Sequence, residues 1–187
     1  MIKIFIDQGH NPRNPNAGAE GNGFREQDIT YRVGRELAEL LNANPNFEAR
    51  LSRNSEEEIL GKSNAESLRI RVDAANRYGA DAFISIHLNA SLITEATGSE
   101  AYVFRLGSPA DVLARDILLR LTEATGYPNR GVFARPTLYV LRKTSMPATL
   151  VEIGYISNPG EAVFMNNNTA LYARGIYNGI LTYYGFY

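Results

Sequence analysis

The chain has 187 residues, 44% hydrophobic and 21% charged, the proportions of an ordinary globular domain long enough for one substantial core. Its net charge of −1 excludes a nucleic-acid binder held by an excess of phosphate contacts. Without cysteine, disulfide frameworks, thiolate metal sites and cysteine nucleophiles are excluded, which leaves histidine and carboxylate as metal-ligand types.

No stretch approaches the roughly eighteen apolar residues of a membrane span. The apolar run of MIKIFIDQGH breaks at Asp7, too short for a signal sequence, so no targeting segment is visible, and work outside the cytoplasm would need another route or a removed leader. Ile2, Ile4 and Ile6 with Phe5 form a first strand, followed by an Asn-, Pro- and Gly-rich loop from Asn11 to Gly23. Glu26 to Asn42 reads as an amphipathic helix, with Ile29, Val33, Leu37, Leu40 and Leu41 on one face. Phe47–Leu51 is a second strand. The polar, acidic segment Ser52 to Ala65 either rims a cleft or, the favoured reading, is a solvated surface loop. Leu68, Val72 and Ala75 mark the inward face of a helix closed by Gly79. Ala82 to Ile86 is a strand without polar alternation, buried on both faces. Ala101 to Phe104 gives another strand, and Ala110, Leu113, Ile117 and Leu121 a helix that stops at Gly126. Thr137–Leu141 and Ala148–Ile153 complete the strands, and Thr169 to Tyr184 is a final helix carrying Leu171, Ile176, Ile180 and Leu181. This alternation predicts one α/β domain over residues 1–187, a twisted, mostly parallel or mixed sheet of about six strands with helices on both faces.

The only two histidines, His10 and His87, both stand where an apolar strand stops. In open α/β sheets chemistry collects at the carboxyl ends of strands. Two imidazoles there with one carboxylate make a catalytic zinc site, three protein ligands and an open position; the alternative is two polar side chains hydrogen-bonded to loops. Glu26 opens the first helix in phase with the buried Ile29 and Val33, so its carboxylate points toward the end of the first strand. An acidic residue there also complements the helix dipole, and Glu20 competes for the ligand role. Glu152 lies within the apolar run Ala148–Ile153, where an isolated charge is costly. It is either paired, for instance with Arg142, or at the rim of a cleft as a general base beside a metal.

Four ordered blocks carry a resemblance over nearly the whole chain: IFIDQGH with GAEGNGFREQDI, ANRYGADAFISIHLNA, NRGVFARPTLYVLRKTSMPATLVEIGYISNPGE, and the helix ending in the Tyr-rich tail. The chain resembles the zinc-dependent N-acetylmuramoyl-L-alanine amidases of bacterial cell-wall hydrolases and phage endolysins. The resemblance implies zinc ligands at His10, Glu26 and His87, a catalytic glutamate at Glu152, and peptidoglycan as substrate. The bond implied is the amide between N-acetylmuramic acid and L-alanine of the stem peptide. Glu152 would take the proton of a zinc-activated water and give it to the departing nitrogen. Arg142 would steer substrate or hold Glu152, Asn89 would orient a ligand or contact the substrate amide, and Asp7 would support a histidine ligand. The loop Asn-Pro-Arg-Asn-Pro after His10 stands where the family often has glycines, and no inserted inhibitory helix is seen, so the site is expected to be open. A monomer acting on the cell wall is expected, and the missing leader favours release at phage lysis over export. Two other classes stand beside this reading: a zinc peptidase or deacetylase acting on a different amide, which product analysis separates, and a wall-binding module without catalysis, which would be expected to have lost one of the four residues.

Overall fold

Ile4 and Ile6 turn to one side of the first strand and Phe5 to the other, and both sides are buried, so this strand has to lie within a sheet covered on two faces. The computed structural model describes residues Met1–Tyr187 and shows that arrangement. In chain order the strands are β1 (Ile2–Gln8), β2 (Glu20–Gly21), β3 (Phe24–Arg25), β4 (Phe47–Leu51), β5 (Ala82–Asn89), β6 (Ser99–Val103), β7 (Asn129–Ala134) and β8 (Ala148–Tyr155). Strands β2 and β3 make a small hairpin in the loop after β1; the other six form one sheet in the order β4-β1-β5-β8-β6-β7. The first four in that order are parallel, β6 is antiparallel to β8, and β7 is parallel to β6.

The helices are α1 (Glu26–Asn42), α2 (Asn64–Tyr78), α3 (Pro109–Thr125), α4 (Tyr139–Lys143), α5 (Pro159–Asn167) and α6 (Thr169–Tyr183). Helices α1, α3 and α6 bury Ile29, Val33, Leu37, Leu113, Ile117, Ile176 and Ile180 against one face with Ile4, Ile84 and Val151. Helices α2 and α4 cover part of the other face, where Val72, Ala75, Val140 and Leu141 meet Phe5, Phe83 and Leu150. The predicted single α/β domain with helices on both faces is the architecture found. At β1 the strand order reverses, β4 lying on one side and β5 on the other. A crevice opens beyond the carboxyl ends of strands at such a switch point.

Some local expectations change. Thr137–Leu141 is not a strand: Pro136 and Thr137 make a turn, closed by the Leu138 N–H donating to the Arg135 carbonyl at 3.2 Å, and α4 follows. Val140 and Leu141 are both buried in the same cluster, which a helical turn permits and a strand's alternation does not. Besides the short β2–β3 hairpin, the missed strand is β7, an edge strand whose only buried residue is Val132 and whose pattern is therefore polar. Strand β5 runs past Ile86, so His87 sits within it, just before a register shift between His87 and Asn89, and β8 likewise continues past Glu152 to Tyr155. The segment Ser52–Ala65 is solvated at Asn54–Glu57 and again at Lys62–Ala65, but Ser52, Arg53 and Leu60 are buried. Arg53 is fully buried, donating to the Gln27 carbonyl at 2.9 Å, and the Leu60 N–H donates to Asn11 Oδ1 at 3.1 Å, which fastens the segment over the loop after β1.

Candidate active site

His10 follows the end of β1 in the left-handed region, at φ 69°, a conformation that costs energy for any residue but glycine and that is held from outside. The clamp is Arg71. It sits on the inward side of α2 between Leu68 and Ala75 and is 1% exposed. Its guanidinium donates to the Gln8 carbonyl at 2.5 Å, the His10 carbonyl at 2.6 Å, Asp7 Oδ1 at 2.7 Å and Asn11 Oδ1 at 3.1 Å. Asp7 also accepts from Ser85 Oγ at 2.8 Å. Burial pushes the Asp7 carboxyl upward, but Arg71 outweighs it and holds the group below its ordinary value. Asp7 thus supports the His10 loop through Arg71 and makes no hydrogen bond to either imidazole.

Glu26, the first residue of α1, is 3% exposed and enters the same space from the opposite side. Its Oε1 lies 3.2 Å from His10 Nε2 and 3.0 Å from His87 Nδ1, and the two imidazoles meet edge to face at 4.8 Å. Backbone N–H groups fix the carboxylate: Leu88 donates to Oε1 and Ala19 to Oε2, each at 2.9 Å. Gly18 admits this approach, since a Cβ there would stand 2.8 Å from Glu26 Oε2 and 2.9 Å from His10 Cδ2. Burial pushes the Glu26 carboxyl upward, but the two facing imidazoles prevail and hold it far below the usual carboxylate range. Glu20, the competing carboxylate, is exposed in β2 and outside this group.

The donor atoms of His10, Glu26 and His87 lie within 4.8 Å of one another, and the histidine side chains are 21% and 18% exposed, so the group opens to solvent. Zinc bonds of about 2.0–2.2 Å place tetrahedral donors roughly 3.3 Å apart, close to the observed separations from Glu26 Oε1. Two nitrogens and one oxygen that converge, with a fourth side left open, fit a divalent zinc-type ion. The residues fit the group.

Glu152 is brought to this cluster by sheet register. On β5 and β8 His87 pairs directly with Glu152, and Glu152 pairs on its other side with Glu100 of β6. Alternation places all three on the face shared with α2 and α4, beyond the apolar Phe83 and Leu150. Glu152 Oε2 is buried without a hydrogen-bond partner. Burial first, then the negative Glu26 and Glu100, pushes its carboxyl up to about 8, the range of a group that exchanges protons near neutral pH. A cleft of about 140 Å³ lined by His10, His87, Asn16, Leu138 and Tyr139 adjoins the cluster. The larger cavity of about 700 Å³ between α1, β4 and α2 contains no histidine or carboxylate.

Asn89 and Arg142 stand differently. The Asn89 side-chain N–H donates to Glu100 Oε1 at 2.9 Å, so its amide is engaged beside Glu152. Arg142 is exposed at the end of α4 on a separate groove with Phe104 and Arg105, and no ion pair joins it to Glu152. Sequence reasoning missed Arg71 and Glu100. A charged residue in phase with Leu68 and Ala75 was the available signal for the first; the second is marked only by its alternation with Ala101 and Val103.

A family model described as N-acetylmuramoyl-L-alanine amidase matches residues 4–182. The sporulation-specific N-acetylmuramoyl-L-alanine amidase of Bacillus subtilis is 34% identical over 184 residues, covering 96% of this chain and 67% of that protein. The N-acetylmuramoyl-L-alanine amidase CwlM of Bacillus licheniformis is 35% identical over 188 residues, covering 96% of this chain and 68% of that protein. Among solved structures, the catalytic domain of the amidase CwlV from Bacillus (Paenibacillus) polymyxa var. colistinus superposes with a TM-score of 0.87 at 30% identity, covering 100% of both chains.

Proposed function

The chain belongs to the N-acetylmuramoyl-L-alanine amidase family, and from that premise we propose that it hydrolyses the amide between N-acetylmuramic acid and L-alanine of peptidoglycan, with His10, Glu26 and His87 holding zinc and Glu152 as general base and acid. The observation that carries this is the register of β5 and β8, which sets an unpartnered carboxylate beside the His-Glu-His cluster.

Zinc bound there would supply Lewis acidity, lowering the pKa of water toward about 7 and polarising the scissile carbonyl. Glu152 takes a proton from the attacking water and returns it to the departing L-alanine nitrogen, so one water is consumed, the C–N bond breaks, and a carboxyl and an amine result. Its raised proton affinity suits both halves of that transfer. The backbone N–H groups of Ala19 and Leu88 orient Glu26, and Arg71 keeps the strained His10 in place. Asn89 acts through Glu100, and Arg142 steers the substrate from the exposed end of α4. Residues 1–187 work as one catalytic unit, a monomer on cell-wall substrate; no helix is long and apolar enough to cross a membrane.

Mass spectrometry of purified peptidoglycan digested with and without a zinc chelator tests the reading. Free stem peptides beginning with L-alanine beside intact glycan, lost on chelation and restored by zinc, are expected. Cleavage of a different amide or of the glycan overturns the substrate assignment, and cleavage that survives metal removal overturns the metal.

A further inference from the structure

Strand β7 departs from regular pairing at one place. Ser99 pairs with Asn129 and Glu100 with Gly131, so Arg130 has no partner across the ladder. This is a bulge, and Gly131 takes the φ of 101° that the insertion requires. Regular alternation would put Arg130 on the side of Val132, in the face covered by α3. The bulge re-aims it: Arg130 Nε donates to Glu100 Oε2 at 3.1 Å, on the face that carries His87 and Glu152.

Glu100 is a fixed post. It is 8% exposed and also accepts from Asn89 Nδ2 at 2.9 Å and from the Tyr102 hydroxyl. The Arg130 guanidinium lies 5.2 Å from the ring centre of Tyr155, and its Nη1 donates to the Thr97 carbonyl at 3.3 Å. The side chain is 42% exposed, and Nη2 donates to no protein group. An arginine held along one edge, on an ion pair and an aromatic ring, presents its other edge ready for a planar anion.

The geometry points to Arg130 as the carboxylate-binding group of a subsite beside Glu152, taking a carboxylate of the peptide that leaves on cleavage. This rests on the amidase reading above. In N-acetylmuramic acid the lactyl carboxyl is consumed in the scissile amide, so the free carboxylates belong to the peptide. A carboxylate arriving there meets Glu152 and Glu100, both acidic, and needs a cation on that side. Strands β8 and β7 are two spacings, about 10 Å, apart, and Arg130 reaches back across part of that gap to Glu100. A peptide advances at most about 3.6 Å per residue, so carboxylates of the first residues beyond the cut come within reach.

The test uses two synthetic muramoyl peptides that differ only at the second peptide residue, whose carboxylate is free in one and a carboxamide in the other. The wild-type protein is expected to favour the free carboxylate by about tenfold in kcat/KM, the scale of one half-exposed charged hydrogen bond. Arg130→Gln is expected to bring that preference to about one, with the change in KM rather than kcat, and Arg130→Lys to an intermediate value. A wild-type protein with no preference, or a preference unchanged in Arg130→Gln, overturns the subsite. If Arg130→Gln melts early, Arg130→Lys decides alone, and an undiminished preference there overturns the proposal. A wild-type protein that cleaves neither peptide defeats the amidase reading and the subsite with it.

Discussion

The face of the sheet beneath α2 and α4 has two halves built from the same strands. Toward the strand starts it is apolar: Phe5 and Phe83 stack with ring centres 5.9 Å apart, and Leu150 lies with them in one buried cluster. A few residues further along β1, β5 and β8 the same side carries Asp7, His87 and Glu152. The first half gains stability from burial. The second carries features that cost stability, a left-handed His10, a buried Arg71–Asp7 pair and an unpartnered Glu152 oxygen, and it is where the proposed chemistry lies. The difference teaches that one strand can serve both ends, because pairing with its neighbours fixes the positions of the costly residues as firmly as those of the apolar ones.

Substitutions on the two halves are expected to act on different quantities. Glu152→Gln removes the proposed proton acceptor and is expected to cut kcat by about 10² to 10⁴-fold, with zinc content kept and thermal stability equal or higher; steady-state rates beside metal analysis and a melt check this. Phe83→Ala, two strand steps before the turn to polar residues, is expected to cost about 3–5 kcal/mol of stability, while the folded protein at low temperature keeps a kcat within a few-fold of the original. Urea titration alongside assay measures both, and a Phe83→Ala protein of undiminished stability would erase the distinction between the halves.

The pH dependence sharpens the comparison further. In the metal-free protein Glu152 keeps its proton to about pH 8, raised by burial and by Glu26 and Glu100, whereas the unfolded chain releases it near the ordinary 4.5. Between those values the folded state binds more protons, so this group's contribution to stability is present below 4.5 and is lost as pH rises through 8. Denaturant melts of chelator-treated protein from pH 4 to 9 are expected to show that decline, and Glu152→Gln to flatten it. The smallest effect is expected at Arg142. Arg142→Ala should lower wall hydrolysis by less than about threefold, through KM and with zinc unchanged, as the proposed steering by an exposed charge requires; a loss as deep as that of Glu152→Gln would place it in the chemistry instead.

Much of this was legible beforehand where a periodic pattern was long. The spans of α1, α3 and α6 follow from apolar residues at helical spacing, and the unbroken Ala82–Ile86 run announced a strand buried on both sides. Short or edge elements were not legible. Tyr139–Lys143 has too few residues to show a period, and the exposed β7 carries a single buried side chain. At the site, His10 and His87 stood out because there are only two histidines, and Glu26 because it opens a helix in phase with a buried face.

The sequence alone determined the α/β class, the lack of any thiolate ligand and the candidates His10, Glu26, His87 and Glu152, because these depend on residue type and local period. Tertiary structure decided which strands are neighbours. The register joining His87, Glu152 and Glu100, the bulge that turns Arg130 toward them, and Arg71's reach from α2 to the His10 carbonyl all join residues far apart in the chain. Periodicity reports which face a side chain takes, but the partner across a ladder is chosen by the packing of the whole sheet.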